Sequence, residues 1–223
     1  MAREIIFPNP NDAEDDGLIA VGGNLSEEFL LAAYSQGIFP WYNEGEPVLW
    51  WSPNPRMVLF PQKFKCSKSF KQFFNSKRFE IRIDFNFKEV IKNCSKVKRT
   101  GQIGTWITKD VIKAYIKLHE LGYAHSIETY EGENLVGGLY GVSLGKAFFG
   151  ESMFYKVNNA SKIALFYLNK LMLNWDYHFI DVQQSTSHLR SMGAEDIERA
   201  KFLKILNEAL KFPTKKGRWS MNY

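Results

Sequence analysis

The sequence predicts an α/β chain of the α+β kind. A small N-terminal domain is expected over residues 1–62. A larger domain over residues 63–223 is expected to carry a mixed sheet flanked by helices. Three observations carry this. Prolines and aromatic residues punctuate the first 62 residues and leave room for one short helix. Between residues 109 and 149 the apolar period changes from that of an amphipathic helix to the alternation of strands. From there to residue 210, helix and strand patterns take turns.

Residues 1–24 are rich in Pro, Asn, Asp and Gly and are expected to be mostly irregular. Ser26 is a natural N-cap, because its hydroxyl can accept from a free amide of the first turn. Glu27 and Glu28 suit the positive end of the same helix. That helix runs through Phe29–Tyr34 and stops at Gly37. Pro40 and Pro53 exclude a long helix over the next stretch, and Arg56–Phe60 reads as a strand ended by Pro61.

The larger domain opens with a basic helix expected at about 67–76. Phe79–Ile83 alternates strictly and reads as a strand. A short helix follows at about 86–94, then a basic, glycine-containing loop from Lys96 to Gly104. Thr108 caps a helix at about 109–121, with Val111, Ile112, Tyr115 and Leu118 on one face and Gly122 at its end. His125–Tyr130, Leu135–Ser143 and Ala147–Phe149 read as strands joined by glycine turns. A helix is expected at about 159–173, a strand at Phe179–Val182, a helix from Thr186 and a last helix at about 199–210. The tail from Lys211 to Tyr223 carries Lys215, Lys216 and Arg218 and is expected to be mobile. N-acetyltransferase-like folds share this element order, although fold alone does not give function.

Bulk properties narrow the class. No apolar run reaches the length of a membrane span, and the first residues turn polar too soon for a secretory signal. Cys66 and Cys94 make no disulfide framework, and the four histidines form no metal-binding spacing. The expectation is a cytoplasmic protein without a metal. The net charge of +5 is uneven, since residues 1–50 hold nine acids against Arg3 alone. Residues 61–117 hold fifteen Lys or Arg against four acids, a belt that suits a polyanion or, equally, a solvated surface.

Several stretches then occur in a fixed order. They are Phe7–Pro10, Asp16–Gly23, Gln36–Trp41, Leu49–Pro53, Gly104–Thr108, Leu135–Val142, Phe149–Phe154, Asn159–Lys162 and Ile180–Gln183. Together they resemble the leucyl/phenylalanyl-tRNA–protein transferase family. The resemblance implies a small N-terminal domain and an acetyltransferase-like C-terminal domain. It implies a cytoplasmic enzyme that moves Leu or Phe from leucyl-tRNA or phenylalanyl-tRNA to proteins with N-terminal Arg or Lys, marking them for N-degron proteolysis. No metal, nucleotide or acyl-CoA cofactor is implied.

Such a reaction asks for little chemistry. The ester of an aminoacyl-tRNA is already activated, and no GxxxxGKS or GxGxxG phosphate loop is present. The nucleophile is an α-amine with a pKa of about 8, so a useful fraction is free at neutral pH. After attack its nitrogen is acidic enough for a carboxylate to take the proton. Asp181 can orient the amine and collect that proton, and Gln183 can hold the acceptor backbone or the reacting carbonyl. On a regular strand the two share a face, with Ile180 and Val182 opposite. The resemblance likewise gives this Asp and Gln a proton relay. A shuttle through the tRNA's own hydroxyl, or a plain helix-capping role for Asp181, are the alternatives.

The resemblance assigns Glu151 to the acceptor, whose cations a carboxylate suits. It implies an apolar pocket for the donor side chain from Leu139, Phe148, Met153, Leu165, Leu168 and Ile180. Tyr34, Trp41, Trp106 and Tyr115 are its candidates for stacking on the terminal adenosine of the tRNA. Lys68, Lys71, Lys77 and Arg78 are its candidates for the acceptor-stem phosphates. Many members carry Cys between the Asp and Gln of the last motif. Val182 stands there, so a thioester at that position is impossible.

Two rivals fit less. An acyl-CoA acetyltransferase needs a glycine-rich pyrophosphate loop, which Phe154–Lys162 lacks. A non-catalytic RNA-binding module explains neither the acidic first 50 residues nor the Asp181–Gln183 pair.

Overall fold

The computed structural model describes residues 5–66, 78–97 and 105–220. The expected helix at 67–76 and most of the Lys96–Gly104 loop lie outside these residues, as do Lys68, Lys71 and Lys77.

Two sheets make the frame. Strands β1 (Leu18–Val21), β3 (Leu49–Trp51) and β2 (Phe39–Pro40) form a small antiparallel sheet in that order. Helix α1 (Glu27–Ser35) sits beside it, capped by the Ser26 hydroxyl on the Phe29 amide as expected. Trp50 is buried and donates its indole N–H to the Gly22 carbonyl at 2.9 Å. Strand β1 was not foreseen, because turn-forming residues flank a run of only four.

The large sheet has the order β10-β4-β9-β8-β7-β6-β5 among the described residues. Its strands are β4 (Arg56–Leu59), β5 (Glu80–Ile83), β6 (Ala124–Glu131), β7 (Asn134–Leu144), β8 (Ala147–Tyr155), β9 (Phe179–Gln183) and β10 (Glu195–Ile197). Every pair is antiparallel except β8 with β9, so the sheet is mixed. That parallel pair is joined by helix α4 (Ala160–Asn174), the long crossover such a connection requires. The remaining helices are α2 (Phe87–Ser95), α3 (Lys109–Glu120), α5 (Ser187–Ser191) and α6 (Arg199–Leu210). Strand β4 precedes the boundary expected at residue 62, yet it hydrogen-bonds within the large sheet.

Strand alternation divides the core in two. Val58, Tyr140, Phe149 and Phe179 pack with α1, α2, α3 and α6. Met57, Leu59, Leu139, Phe148 and Ile180 point the other way, towards α4 and α5. The helices thus flank both faces.

The C-terminal tail corrects an expectation. Trp219, read as part of a mobile segment, is only 2% exposed and lies in the second cluster. Its ring stacks on His125 with centroids 3.6 Å apart, and its backbone N–H donates to Asp84 at 2.8 Å. Short-range composition registered the lysines around it and missed a ring whose aromatic partners, His125, Phe148, Trp175 and Tyr177, all lie far upstream. Because this ring fills core space, Trp219→Ala is expected to cost roughly 3–5 kcal/mol of stability. A urea titration of the variant would show that loss as a lower midpoint.

Candidate active site

Strands β8 and β9 pair over only three positions, Ala147↔Phe179, Phe148↔Ile180 and Phe149↔Asp181. Beyond these they part, and a cleft of about 610 Å³ opens between them. Two irregularities mark the fork. On β8, Gly150 pairs with Gly141 and Ser152 with Tyr140, so Glu151 is an extra residue in a bulge. On β9, Asp181 pairs with Val58 and Gln183 with Met57, so Val182 is extra there too. Bulges re-aim side chains at strand ends, and here both do so at one spot. Gly141 makes the first one possible, since a Cβ there would lie 2.2 Å from the Phe149 carbonyl oxygen.

The bulge on β8 turns Glu151 into a cradle of donors. Its Oε1 accepts from the Tyr34 hydroxyl at 2.7 Å and from the Gln183 side-chain amide at 2.9 Å. Its Oε2 lies 3.2 Å from the Tyr115 hydroxyl, whose single proton is shared between that oxygen and the adjacent Tyr34 hydroxyl oxygen. Burial pushes the Glu151 carboxyl up to about 7, against the opposing pull of these donors, and the nearby Asp181 charge adds to the rise. Burial first, and the Glu151 charge second, raise both tyrosines well above their ordinary value, so they remain protonated donors.

Asp181 has another environment. It is fully buried beneath the fork and binds Arg56 in a fork-to-fork pair, Nε to Oδ1 at 2.9 Å and the terminal nitrogen to Oδ2 at 2.7 Å. Arg56 is also fully buried and lies between the rings of Phe39 and Phe202, 4.7 and 4.6 Å from their centroids. Asp181 Oδ1 accepts the Gln183 backbone N–H as well, and Gln183 sits in the left-handed region at φ 63°.

The shared face expected for Asp181 and Gln183 is therefore absent. The bulge at Val182 breaks the two-residue period, so Ile180, Val182 and Gln183 line the cleft while Asp181 does not. An amine in the cleft meets Glu151 and Gln183.

The other candidates divide. Leu139, Met153, Leu165, Leu168 and Ile180 line the cleft together, with Trp41 and Trp106 on its wall. Phe148 is fully buried and absent from that lining, because its β8 neighbours have not yet parted from β9. Tyr34 and Tyr115 are fully buried too, so their rings offer no stacking face and their hydroxyls serve Glu151 instead. Arg78 is ion-paired with Glu131 at 2.6 Å on the surface. Sequence reasoning missed Arg56, whose one signal was a charge opening an otherwise apolar strand. It also missed Pro40, Thr186, His188 and Leu189 of the lining. Among the described residues, no group of three His, Cys, Asp or Glu is placed to hold a metal, and no helix is long and apolar enough to cross a membrane.

Comparison with known proteins gives a family. The model of the leucyl/phenylalanyl-tRNA protein transferase matches residues 58–207, and that of the N-terminal domain of the same transferase matches residues 23–54. A leucyl/phenylalanyl-tRNA–protein transferase of Desulfatibacillum aliphaticivorans is 51% identical over 99% of this chain and 95% of its own. One from Legionella pneumophila (strain Corby) is 51% identical over 97% of this chain and 96% of its own. Among solved structures, a conserved protein of unknown function from Staphylococcus epidermidis aligns with a TM-score of 0.44. It is 10% identical, over 81% of this chain and 68% of that one.

The buried pair makes a stability prediction. Arg56→Met leaves Asp181 as a lone buried charge and is expected to cost about 3–5 kcal/mol. Adding Asp181→Leu removes that charge and should restore much of the loss. Guanidinium unfolding of the single and double variants, compared by midpoint, checks both.

Proposed function

The chain belongs to the leucyl/phenylalanyl-tRNA–protein transferase family, and we propose that the cleft between β8 and β9 is where Leu or Phe passes from aminoacyl-tRNA to the α-amine of an acceptor protein. The acceptor in this reading begins with Arg or Lys, and the product is a substrate for N-degron proteolysis in the cytoplasm. The observation that carries it is Glu151. Among the described residues it is the one acid in a lining that contains no Lys or Arg, so a cationic amine meets a single carboxylate there. The apolar part of the lining suits a Leu or Phe side chain. Such a wall separates large apolar groups from small or charged ones, but Leu from Phe by only about 1–3 kcal/mol.

In this mechanism Trp41 and Trp106 hold the terminal adenosine, and the donor side chain enters between Leu139, Met153, Leu165, Leu168 and Ile180. The acceptor amine sits on Glu151 and Gln183. Its nitrogen attacks the ester carbonyl and forms a tetrahedral adduct. Glu151 takes the proton from that nitrogen. The bond to the ribose oxygen then breaks, and the same proton passes to the departing oxygen. The amide forms, the tRNA leaves as its free hydroxyl, and Glu151 is restored. A base near 7 suits both transfers at neutral pH. Asp181 acts one step back. With Arg56 it holds the backbone of Gln183, and so aims the amide that faces Glu151.

The direct test is transfer of radiolabelled Phe from phenylalanyl-tRNA to a protein with N-terminal Lys or Arg, with an acetylated terminus as control. Label on the free terminus only is expected, and none from well-folded protein would sink the reading. The pH profile tests the base. Glu151 is protonated below about 7, so kcat/KM should climb as pH rises through that value. It should climb again as the free amine forms near 8. Glu151→Gln should lower kcat by roughly 10²–10⁴-fold and erase the lower limb while leaving the upper one. Tyr34→Phe removes a donor that favours the carboxylate, so it should move the lower limb to higher pH.

A further inference from the structure

A second cavity, of about 820 Å³, adjoins the cleft and shares Met153 and His188 with it. Its walls come from the C-terminal end of α2, the end of β8 and the first turn of α4. It differs from the cleft in charge. Lys96, Lys156 and Lys162 line it, and no acidic residue among the described ones does. None of the three is ion-paired with a described residue, whereas Lys63, Lys92 and Lys211 elsewhere each hold a Glu.

Two further features point to an anion. Helix α4 starts without a side-chain cap: Asn159 occupies the N-cap position at φ 67° and makes no capping hydrogen bond. The positive end of a 15-residue helix is thereby left to the cavity. Ser161, in that first turn, is 5% exposed and borders the cavity, and its hydroxyl has no hydrogen-bond partner among the described residues. Open to the cavity, that hydroxyl can donate to an acceptor oxygen of a ligand.

We infer that the second cavity is a phosphate-binding subsite for the single-stranded 3′ end of the donor tRNA, holding the backbone just upstream of the terminal aminoacyl-adenosine. This rests on the cleft being the aminoacyl-transfer site. The subsite opens beside Met153, at the edge of the donor pocket, so a strand whose last nucleotide lies in the cleft can run directly into it. Lysine ammoniums, an uncapped helix start and a hydroxyl all favour phosphate oxygens. The acceptor protein presents a cation, which this cavity repels and the cleft attracts. The two substrates are thus sorted by charge: the donor's backbone goes to three lysines and the acceptor's amine goes to one carboxylate.

The experiment uses the full chain and a Lys156→Gln/Lys162→Gln double variant, whose lysines are exposed or half-buried. Transfer is measured from phenylalanyl-tRNA and from 3′-phenylalanyl-adenosine, which has no phosphate. For the tRNA donor, KM should rise about tenfold with kcat unchanged, and the salt slope of tRNA binding should fall by about 1.4 for two lost single-strand contacts. Kinetics with the adenosine donor should stay as in the unmodified chain. An unchanged KM for tRNA, an equal loss with both donors, or a raised KM for the acceptor protein instead would each overturn the subsite. A binding arm separates this from the functional reading. The trinucleotide CCA should bind the unmodified chain more tightly than adenosine does, and the double variant should lose that advantage. If neither donor supports transfer while the lysine-dependent advantage of CCA persists, the functional reading falls and takes the assignment to a donor tRNA with it, leaving a cavity that binds single-stranded phosphates. If CCA has no advantage over adenosine, the subsite falls whatever the transfer assay gives.

Discussion

Arg56 and Asp181 form the ion pair on which the site hangs, both fully buried and bound through two nitrogens and two oxygens. Neither charge is tolerable at that depth without the other. The pair ties β4 to β9 at the level where β9 leaves β8. The Arg56 guanidinium also lies over Phe39 of the small sheet and Phe202 of α6. One side chain thus fixes the small sheet, the last helix and the fork relative to one another. Asp181 extends that constraint to the Gln183 backbone, which it holds in a left-handed conformation costly for a residue with a Cβ. The strain persists because the ion pair beneath overdetermines it.

The same arrangement separates two carboxyl groups by environment. Asp181 faces a full cation and Glu151 faces neutral donors only. Burial therefore moves Glu151 up to about 7, and the charge of Asp181 helps. Paired acids with unlike surroundings commonly take unlike roles. In the proposed mechanism Asp181 is paired with Arg56 and positions Gln183, and Glu151 handles the proton. The tyrosines hold Glu151 in place without neutralising it, since burial keeps their own protons on.

Much of this could be read from the sequence, and what failed failed for physical reasons. The capped helices after Ser26 and Thr108, the meander from His125 and the crossover helix were legible because caps and periodicity are local signals. Of the six residues that the resemblance put in an apolar pocket, five line the cleft and Phe148 does not, while Leu189 was missed. Strands β1 and β10 were not, being four and three residues long. Trp219 was not, because it packs on strands far upstream. The placement of Asp181 outside the cleft could not be read, because period-two reasoning assumes an unbroken ladder and an inserted residue changes which side chain reaches the cleft. Arg56 lies 125 residues from Asp181, and nothing in either local pattern announces the other.

The energetics explain why so spare a site suffices. The donor ester is activated before it arrives, and the α-amine is partly free at neutral pH. Bringing the two together in a good geometry can supply about 7–11 kcal/mol of the barrier. What that demands of the protein is rigidity, and a fork closed by two bulges, a buried ion pair and a tyrosine cradle is rigid. The remaining task in the proposed mechanism is one proton, which moves from nitrogen to carboxylate to ribose oxygen. A carboxyl near 7 is acidic enough to return the proton and basic enough to accept it. An exposed glutamate, with its ordinary pKa of about 4.3, would be a weaker base by more than two powers of ten. In the proposed mechanism, burial of Glu151 is what lets a binding cleft move a proton, and the cost of that burial is offset by hydrogen-bonding groups that the fold brings together from α1, α3 and β9.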